Sequence, residues 1–220
     1  MSQAHRTYVP AAGRDWRLPF YDLIAKLLGA DAARKLMVEQ IAPAPGERIL
    51  ELGCGTGTLL LELKRAQPGV EATGLDPDPK ALALARRKAE RAGVSIALDD
   101  GFGDALPYAD GSFDVVASSL MYHHLKAEEK AGMLREVRRV LKPGGRFHYA
   151  DFAGPSAGSQ GFIGHLIHAP RHLRDNEEER VFAAMEAAGL ENRQVLARRK
   201  IRFARLLFLR ASAPGPVLSS

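Results

Sequence analysis

The 220-residue sequence predicts an α/β protein: a doubly wound, mostly parallel sheet of seven strands that finishes in a C-terminal antiparallel hairpin. Three observations carry that prediction. Short apolar runs alternate with helical stretches from Arg48 to Ala150, and strands joined through helices lie parallel. The run Ile49-Leu50-Glu51-Leu52 ends in the glycine turn Gly53-Cys54-Gly55-Thr56-Gly57, and a second run, Ala72-Thr73-Gly74-Leu75, closes on Asp76. A strand, a glycine turn, a helix and a strand ending on an acid form the nucleotide-binding half of such a sheet. Lastly, two apolar, arginine-laced runs, about Arg193 to Lys200 and Ala204 to Ala211, are separated by too few residues for a helical crossover and so pair antiparallel.

The elements follow in order. Residues 1–15 are polar and irregular, and Trp16 to Leu28 carries apolar residues at helical spacing. A helix over Ala32 to Ile41 is stopped by Pro43 and Pro45. Strand one is Arg48 to Leu52, its helix runs about Thr58 to Ala66, and strand two is Glu71 to Leu75. Pro79 to Ala92 is helical, with Gly93 as its C-terminal stop. Strand three is Val94 to Leu98 and strand four Phe113 to Ser118. A helix over about Ala127 to Leu141 leads through the turn Pro143-Gly144-Gly145 into strand five, Arg146 to Ala150. After a loop rich in glycine and serine, a short helix is expected near Phe162 to His172. Glu177 to Ala188 is helical, Gly189 closes it, and the hairpin follows. The chain thus divides into a helical cap or lid over residues 1–45, an α/β domain over 46–212 and a flexible tail over 213–220.

Composition narrows the function classes. One α/β domain of this length buries a proper core. The formal charge of +5 raises the question of an anionic partner, yet the basic residues are scattered apart from Arg86-Arg87-Lys88, Arg138-Arg139 and Arg198-Arg199-Lys200. The first two clusters fall on helices and read as solvated faces. No apolar run reaches the ~20 residues of a membrane span, and the N-terminus lacks a signal-peptide core, so neither insertion nor export is expected. The single cysteine, Cys54, excludes an internal disulfide and suits a reducing cytoplasm. Within the glycine turn it reads as a small filler.

The glycine spacing selects the ligand. A dinucleotide fingerprint is G-x-G-x-x-G, which sets a pyrophosphate on a helix N-terminus. Here the pattern is E-x-G-x-G-x-G, and Glu51 suits a cationic ligand better than a diphosphate. Glu51 to Thr58 with Asp76 resembles the first two motifs of the class I S-adenosylmethionine-dependent methyltransferases. The parallel sheet with its closing hairpin agrees with their Rossmann-like fold. The resemblance is strong from about Glu47 to Asp151 and implies S-adenosyl-L-methionine as cofactor. It implies that Glu51 and the turn (Gly53, Cys54, Gly55, Gly57) hold the methionine end, and that Asp76, with Pro77 beside it, holds the ribose.

Other residues take roles through the same resemblance. Leu106-Pro107-Tyr108 and Asp110-Gly111-Ser112-Phe113-Asp114 look like the run joining strands three and four in ubiquinone and menaquinone C-methyltransferases. That family writes G-D-A-x-x-L-P-F, with the aspartate on the adenine amino group. A gapless count back from Leu106 puts Phe102 in the aspartate's place and Gly103 as amide donor; Asp104 recovers the role only in a loop two residues shorter. Strand four runs into Ser118-Ser119-Leu120-Met121-Tyr122-His123-His124-Leu125, like the family's L-H-H-L edge, which implies cofactor contact near Ser118. His123 or His124 either acts as a general base or packs the next helix. His165, His168 and His172 share a helical spacing and either line the substrate pocket, lie on the surface or bind a metal; no acid or cysteine joins them locally, and no metal is expected. Tyr8, Trp16 and Tyr21 either close over the cofactor or pack.

The expected activity is methyl transfer to a small-molecule or lipid-like acceptor. No N-P-P-[YF] or D-P-P-Y motif follows strand four, so nucleic acid is not expected as substrate. A homodimer stays open. Two rivals share the sheet: a nicotinamide-dependent oxidoreductase, against which the glycine spacing speaks, and a cofactor-binding regulatory protein without turnover.

Overall fold

The computed structural model describes residues 30–153, 176–201 and 204–216. Its elements are α1 (Ala30–Ile41), β1 (Arg48–Leu52), α2 (Thr58–Ala66), β2 (Glu71–Asp76), α3 (Pro79–Ala92), β3 (Ala97–Asp100), β4 (Phe113–Ser119), a 3₁₀ turn (Tyr122–His124), α4 (Ala127–Val140), β5 (Leu141–Phe152), α5 (Glu178–Ala187), β6 (Glu191–Ile201) and β7 (Ala204–Ser212). The helices expected over Trp16 to Leu28 and Phe162 to His172 lie outside the described residues, with Tyr8, Trp16, Tyr21, His165, His168 and His172.

The seven strands form one sheet in the order β3-β2-β1-β4-β5-β7-β6. β1 through β5 run parallel; β7 is antiparallel to both β5 and β6. The strand order reverses between β1 and β4, so the crevice outside their carboxyl ends is where a ligand of a doubly wound sheet belongs. Alternate side chains point to opposite faces and build two cores. On one face Leu50, Leu52, Val116, Phe147, Tyr149, Leu207 and Leu209 pack with Met133 and Val137 of α4 and Val181 and Met185 of α5. On the other, Ile49, Val115, Ala117, Leu206 and Phe208 pack with Met37 and Ile41 of α1 and Leu59, Leu60 and Leu63 of α2. Glu51 is the next residue after Ile49 on this second face, which sets its carboxylate beside α1 and α2.

Local chemistry starts and stops the helices. Asp78 caps α3 by accepting from the Lys80 N–H at 2.9 Å, Pro79 occupies the first turn, and Gly93 ends it at φ 65°. The Glu129 carboxylate accepts from the Lys126 N–H at 2.8 Å at the start of α4.

Three expectations need correction. Strand three begins at Ala97, not Val94, because the Val94 N–H is taken up by the Ala89 carbonyl in closing α3; its pairing with β2 runs on to Asp76↔Asp100. Pro143-Gly144-Gly145 is not a turn before strand five but a bulge within it: Leu141 pairs with Phe113, and pairing resumes at Val115↔Arg146. Ala213 and Pro214 are not part of a flexible tail, since the Ala213 N–H donates to the Gly145 carbonyl and the Pro214 carbonyl accepts from the Gly144 N–H. Among the described residues no helix is long and apolar enough to cross a membrane.

Candidate functional site

A cavity opens at the carboxyl ends of β1, β2 and β4, walled by the glycine turn, Asp76-Pro77, Gly101 to Gly103 and Ser119 to Met121. The turn is fastened to β2 by its own backbone: the Gly53 and Cys54 N–H groups both donate to the Leu75 carbonyl, at 2.8 and 3.1 Å. Asp76 completes the fastening. Its Oδ2 accepts from the Gly55 N–H at 2.8 Å and its Oδ1 from the Asp78 N–H at 2.9 Å. Burial raises its pKa, and these two bonds oppose the rise. The carboxylate expected to grip a ligand therefore also sets the loop that cradles it.

The three turn glycines do different work. Gly55 has φ 51° and a Cβ built on it would meet nothing within 4 Å, so it would project into open space at the cavity wall. A Cβ on Gly53 would stand 2.3 Å from the Met121 Cγ, so Gly53 lets the chain after β4 pack against the turn. Gly57, expected to touch the cofactor, does not line the cavity; its missing Cβ lets α2 approach Ala85 of α3. Cys54 is buried, and burial pushes its thiol well above the ordinary range, as befits a filler.

The cavity wall carries two buried polar atoms without a hydrogen-bond partner among the described residues. Glu51, 3% exposed, has an Oε2 without a hydrogen-bond partner. Its pKa is raised well above the usual carboxylate value by burial and then by Asp76, while Arg34 draws it down. Arg34 of α1 also lines the cavity; its guanidinium pairs with Asp31, and its Nε, 3.7 Å from the Glu62 carboxylate, has no hydrogen-bond partner among the described residues. Buried polar atoms in native proteins are nearly always paired, so these two are open to a ligand in the cavity. One takes a cation, the other an anion. That pair matches the ammonium and carboxylate of an amino-acid moiety. Arg34 carries no signal in the sequence, because only the packing of α1 on β1 brings it here.

Farther along the edge, Phe102 and Gly103 line the cavity. Asp104 does not: its Cβ lies 2.8 Å from where a Cβ on Gly132 of α4 would stand. Ser118 is not part of the wall either. It pairs with Leu52 and Tyr149 on the α4 face, and the wall is made by Ser119 and Leu120. Leu120 adopts φ 54°, a left-handed conformation costing ~1–2 kcal/mol in an L-residue. Its N–H donates to the Ala150 carbonyl at 2.8 Å, and the turn it makes launches Tyr122 to His124.

The two histidines separate in role. His124 lines the cavity, and burial with the neighbouring His123 lowers its pKa to about 4, so it is a neutral imidazole at pH 7. His123 stands behind it, ring centroids 3.9 Å apart, and is itself anchored. Its Nδ1 lies 2.7 Å from the Oδ1 of fully buried Asp151, and its backbone N–H donates to Oδ2 at 3.1 Å. Asp151 escaped the sequence reading. The available signal was an acid closing the apolar end of strand five, as acids close strands one and two.

A glycine-turn cavity at the reversal of a parallel sheet, with a buried acid and a buried guanidinium on one wall, suits an adenosine compound that bears an amino-acid group. Comparison with known proteins narrows this. A methyltransferase-domain family matches residues 49–145. Demethylmenaquinone methyltransferase of Thermus thermophilus is 38% identical over 202 residues, covering 81% of this chain and 91% of the relative. Ubiquinone/menaquinone biosynthesis C-methyltransferase UbiE of Cereibacter sphaeroides is 34% identical over 138 residues, covering 60% of this chain and 54% of the relative. In fold, the chain is similar to the solved YcgJ protein of Bacillus, with a TM-score of 0.73 at 20% identity, covering 84% of this chain and 100% of that one. The chain belongs to the class I S-adenosylmethionine-dependent methyltransferases and is similar to the ubiquinone/menaquinone C-methyltransferases. It is an enzyme, S-adenosylmethionine is its cofactor, and neither the oxidoreductase nor the non-catalytic rival has support.

Proposed function

We propose that the acceptor is a reduced quinone ring carrying an apolar tail, methylated on ring carbon, and that His124 takes the proton. The demethylmenaquinone and ubiquinone/menaquinone names of the relatives support the acceptor class. The observation that carries the site assignment is the pair of orphaned atoms, Glu51 Oε2 and Arg34 Nε, on one cavity wall. In this reading Glu51 receives the cofactor's ammonium and Arg34 its carboxylate. Asp76 holds the ribose with the lone pairs its two backbone bonds leave free, and Phe102 and Gly103 flank the adenine. Beyond the adenosine end, Leu120, Met121 and Leu125 offer an apolar wall to a ring, with His124 beside them.

When bound, the cofactor supplies an electrophilic methyl carbon on a sulfonium. The chain's own residues add alignment, exclusion of water and a proton acceptor. Alignment supplies much of the rate in such displacements. A hydroxyl on the acceptor ring gives its proton to the free nitrogen of His124, raising electron density at the ring carbon that takes the methyl group. That carbon's own hydrogen then leaves to solvent as a proton and restores the aromatic ring, while His124 returns its proton to the ring oxygen, so that one proton is released for each methyl group transferred. His123, held by Asp151, backs the His124 ring and fixes its orientation. An imidazole with a pKa near 4 is a modest base, but it keeps its lone pair at any pH near neutral.

The test is purified protein with methyl-labelled S-adenosylmethionine and a short-tailed demethylmenaquinol. Label on a ring carbon is expected. Label that bypasses this acceptor and enters another component of a cell extract rejects the acceptor class. His124→Ala should bind cofactor normally and lose roughly 10²-fold or more in kcat. An unchanged kcat removes His124 from the chemistry.

A further inference from the structure

Of the three basic clusters in the sequence, the first two lie on α3 and α4 and each ties one member into the fold, while Arg86 and Arg87 stay exposed on α3. Arg139 is bonded to Glu136, Asp110 and the carbonyls of Leu106 and Tyr108. Lys88 reaches the Thr56 and Thr58 hydroxyls at 3.0 and 2.6 Å. The third cluster lies on the β6–β7 hairpin. Arg198 is held by Glu178 of α5, with guanidinium contacts of 2.7 Å. Arg199 and Lys200, and Arg205 across on β7, are exposed, and none has an ion pair among the described residues.

Topology places these three cations beside the site. β5 runs toward the cavity edge and ends at Phe152, which pairs with Leu206 at the start of β7. The Ala153 N–H donates to the Arg205 carbonyl at 2.8 Å, and the Phe152 ring packs on the His123 ring at 4.9 Å. The hairpin's cationic end and the carboxyl ends of β1, β4 and β5 therefore lie on one edge of the sheet. Lys200 and Arg205 are register partners, directly opposite on the same face. Like charges in that arrangement repel and weaken the ladder. The carboxylates nearest in the chain, at the entry to α5, are largely engaged: Glu178 with Arg198 and Glu177 with Arg180 at 3.3 Å, which leaves Glu179.

We propose that Arg199, Lys200 and Arg205 form a docking surface for an anionic phospholipid bilayer, seating the mouth of the site on the membrane. The proposal rests on the reading that the acceptor carries an apolar tail, which partitions into lipid and must be taken from there. Charge complementarity selects the partner: an anionic leaflet attracts basic groups held at its surface, by about a fivefold gain in affinity for each. No segment need insert. The contact is electrostatic and reversible, and brings the reactive ring to the cavity while the tail stays in the bilayer.

The test is co-sedimentation of the full chain with vesicles of phosphatidylglycerol or phosphatidylcholine, at low and high salt. The expected result is binding to phosphatidylglycerol alone, lost at ~1 M salt, where the Debye length falls to about 3 Å. The triple variant Arg199→Gln, Lys200→Gln, Arg205→Gln should bind about a hundredfold more weakly. A control with equal charge removed at Arg86, Arg87 and Arg91 on α3, whose C-terminal half lies toward the opposite edge of the sheet, should bind as the parent does. Equal losses in both variants, no binding by the parent, or a preference for duplex DNA that the triple variant abolishes would each overturn the proposal. Transfer of label to a tail-free quinol in solution, measured in parallel, tests the acceptor reading separately and should be the same in parent and triple variant.

Discussion

The two halves of the cavity edge handle their acids in opposite ways. On the β1–β2 side, Glu51 is buried with an oxygen that has no hydrogen-bond partner among the described residues, and Arg34 lines the same cavity. On the β5 side, Asp151 is also buried but fully spent: it receives the His123 N–H, the His123 ring and the Phe152 N–H, the last at 2.6 Å. An unsatisfied buried acid destabilises the empty protein and is retained where a ligand completes it. A saturated one is a strut. Asp76 lies between these cases, with both oxygens on backbone N–H groups while it still borders the cavity.

This contrast can be broken or sharpened by substitution. The largest effect should come from Gly55→Val, which puts a branched side chain into the cavity at φ 51°. Calorimetry should detect no cofactor binding while circular dichroism reports an intact fold; retained affinity would show that ligand does not approach this backbone. Asp76→Ala should weaken cofactor binding by ~1.5–3 kcal/mol, through lost charge-assisted bonds to ligand and loop alike. Unchanged affinity would leave Asp76 a strut like Asp151. Glu51→Gln should give opposite signs in two assays: weaker cofactor binding by ~1.5 kcal/mol, and a more stable apo protein because a buried carboxyl is gone. A loss of both would make Glu51 structural.

On the other half, Asp151→Asn should leave cofactor affinity unchanged and lower kcat about tenfold. Its charge raises the His124 pKa, so its removal should move the acid limb of the pH–rate profile, near pH 4 in the parent, to lower pH. A merely structural role would leave that limb in place. The smallest effect belongs to Ser118→Ala, within ~0.5 kcal/mol in cofactor binding, since that hydroxyl faces the α4 core. A larger loss would mean that the wall includes Ser118 after all.

Much of this was legible in the chain. The strand boundaries at β1, β2 and β4 agree with the expected ones to within a residue, because period-2 and period-3.6 apolar patterns and the caps at Asp78 and Gly93 are local signals. The hairpin followed from the length of its connection. What misled was competition between local signals. Val94 is β-branched and apolar, yet it closes α3; Pro143-Gly144-Gly145 has turn composition, yet the pairing of β4 with β5 continues on both sides of it. The motif glycines were found as a group, but their separate duties depend on neighbours distant in sequence: Met121 for Gly53, Ala85 for Gly57, open space for Gly55.

Taken alone, the sequence determined the α/β alternation, the glycine turn ending on Asp76, and through them the cofactor and reaction class. Each is written in residues close together along the chain, where spacing and side-chain type suffice. Tertiary structure decided which groups meet: Arg34 with Glu51, Asp151 with His123, and the exposed Arg199, Lys200 and Arg205 with the carboxyl edge of the sheet. Those meetings depend on strand order and register. A single step along a strand turns a side chain to the other face, as it turns Ser118 to the core and Ser119 to the cavity.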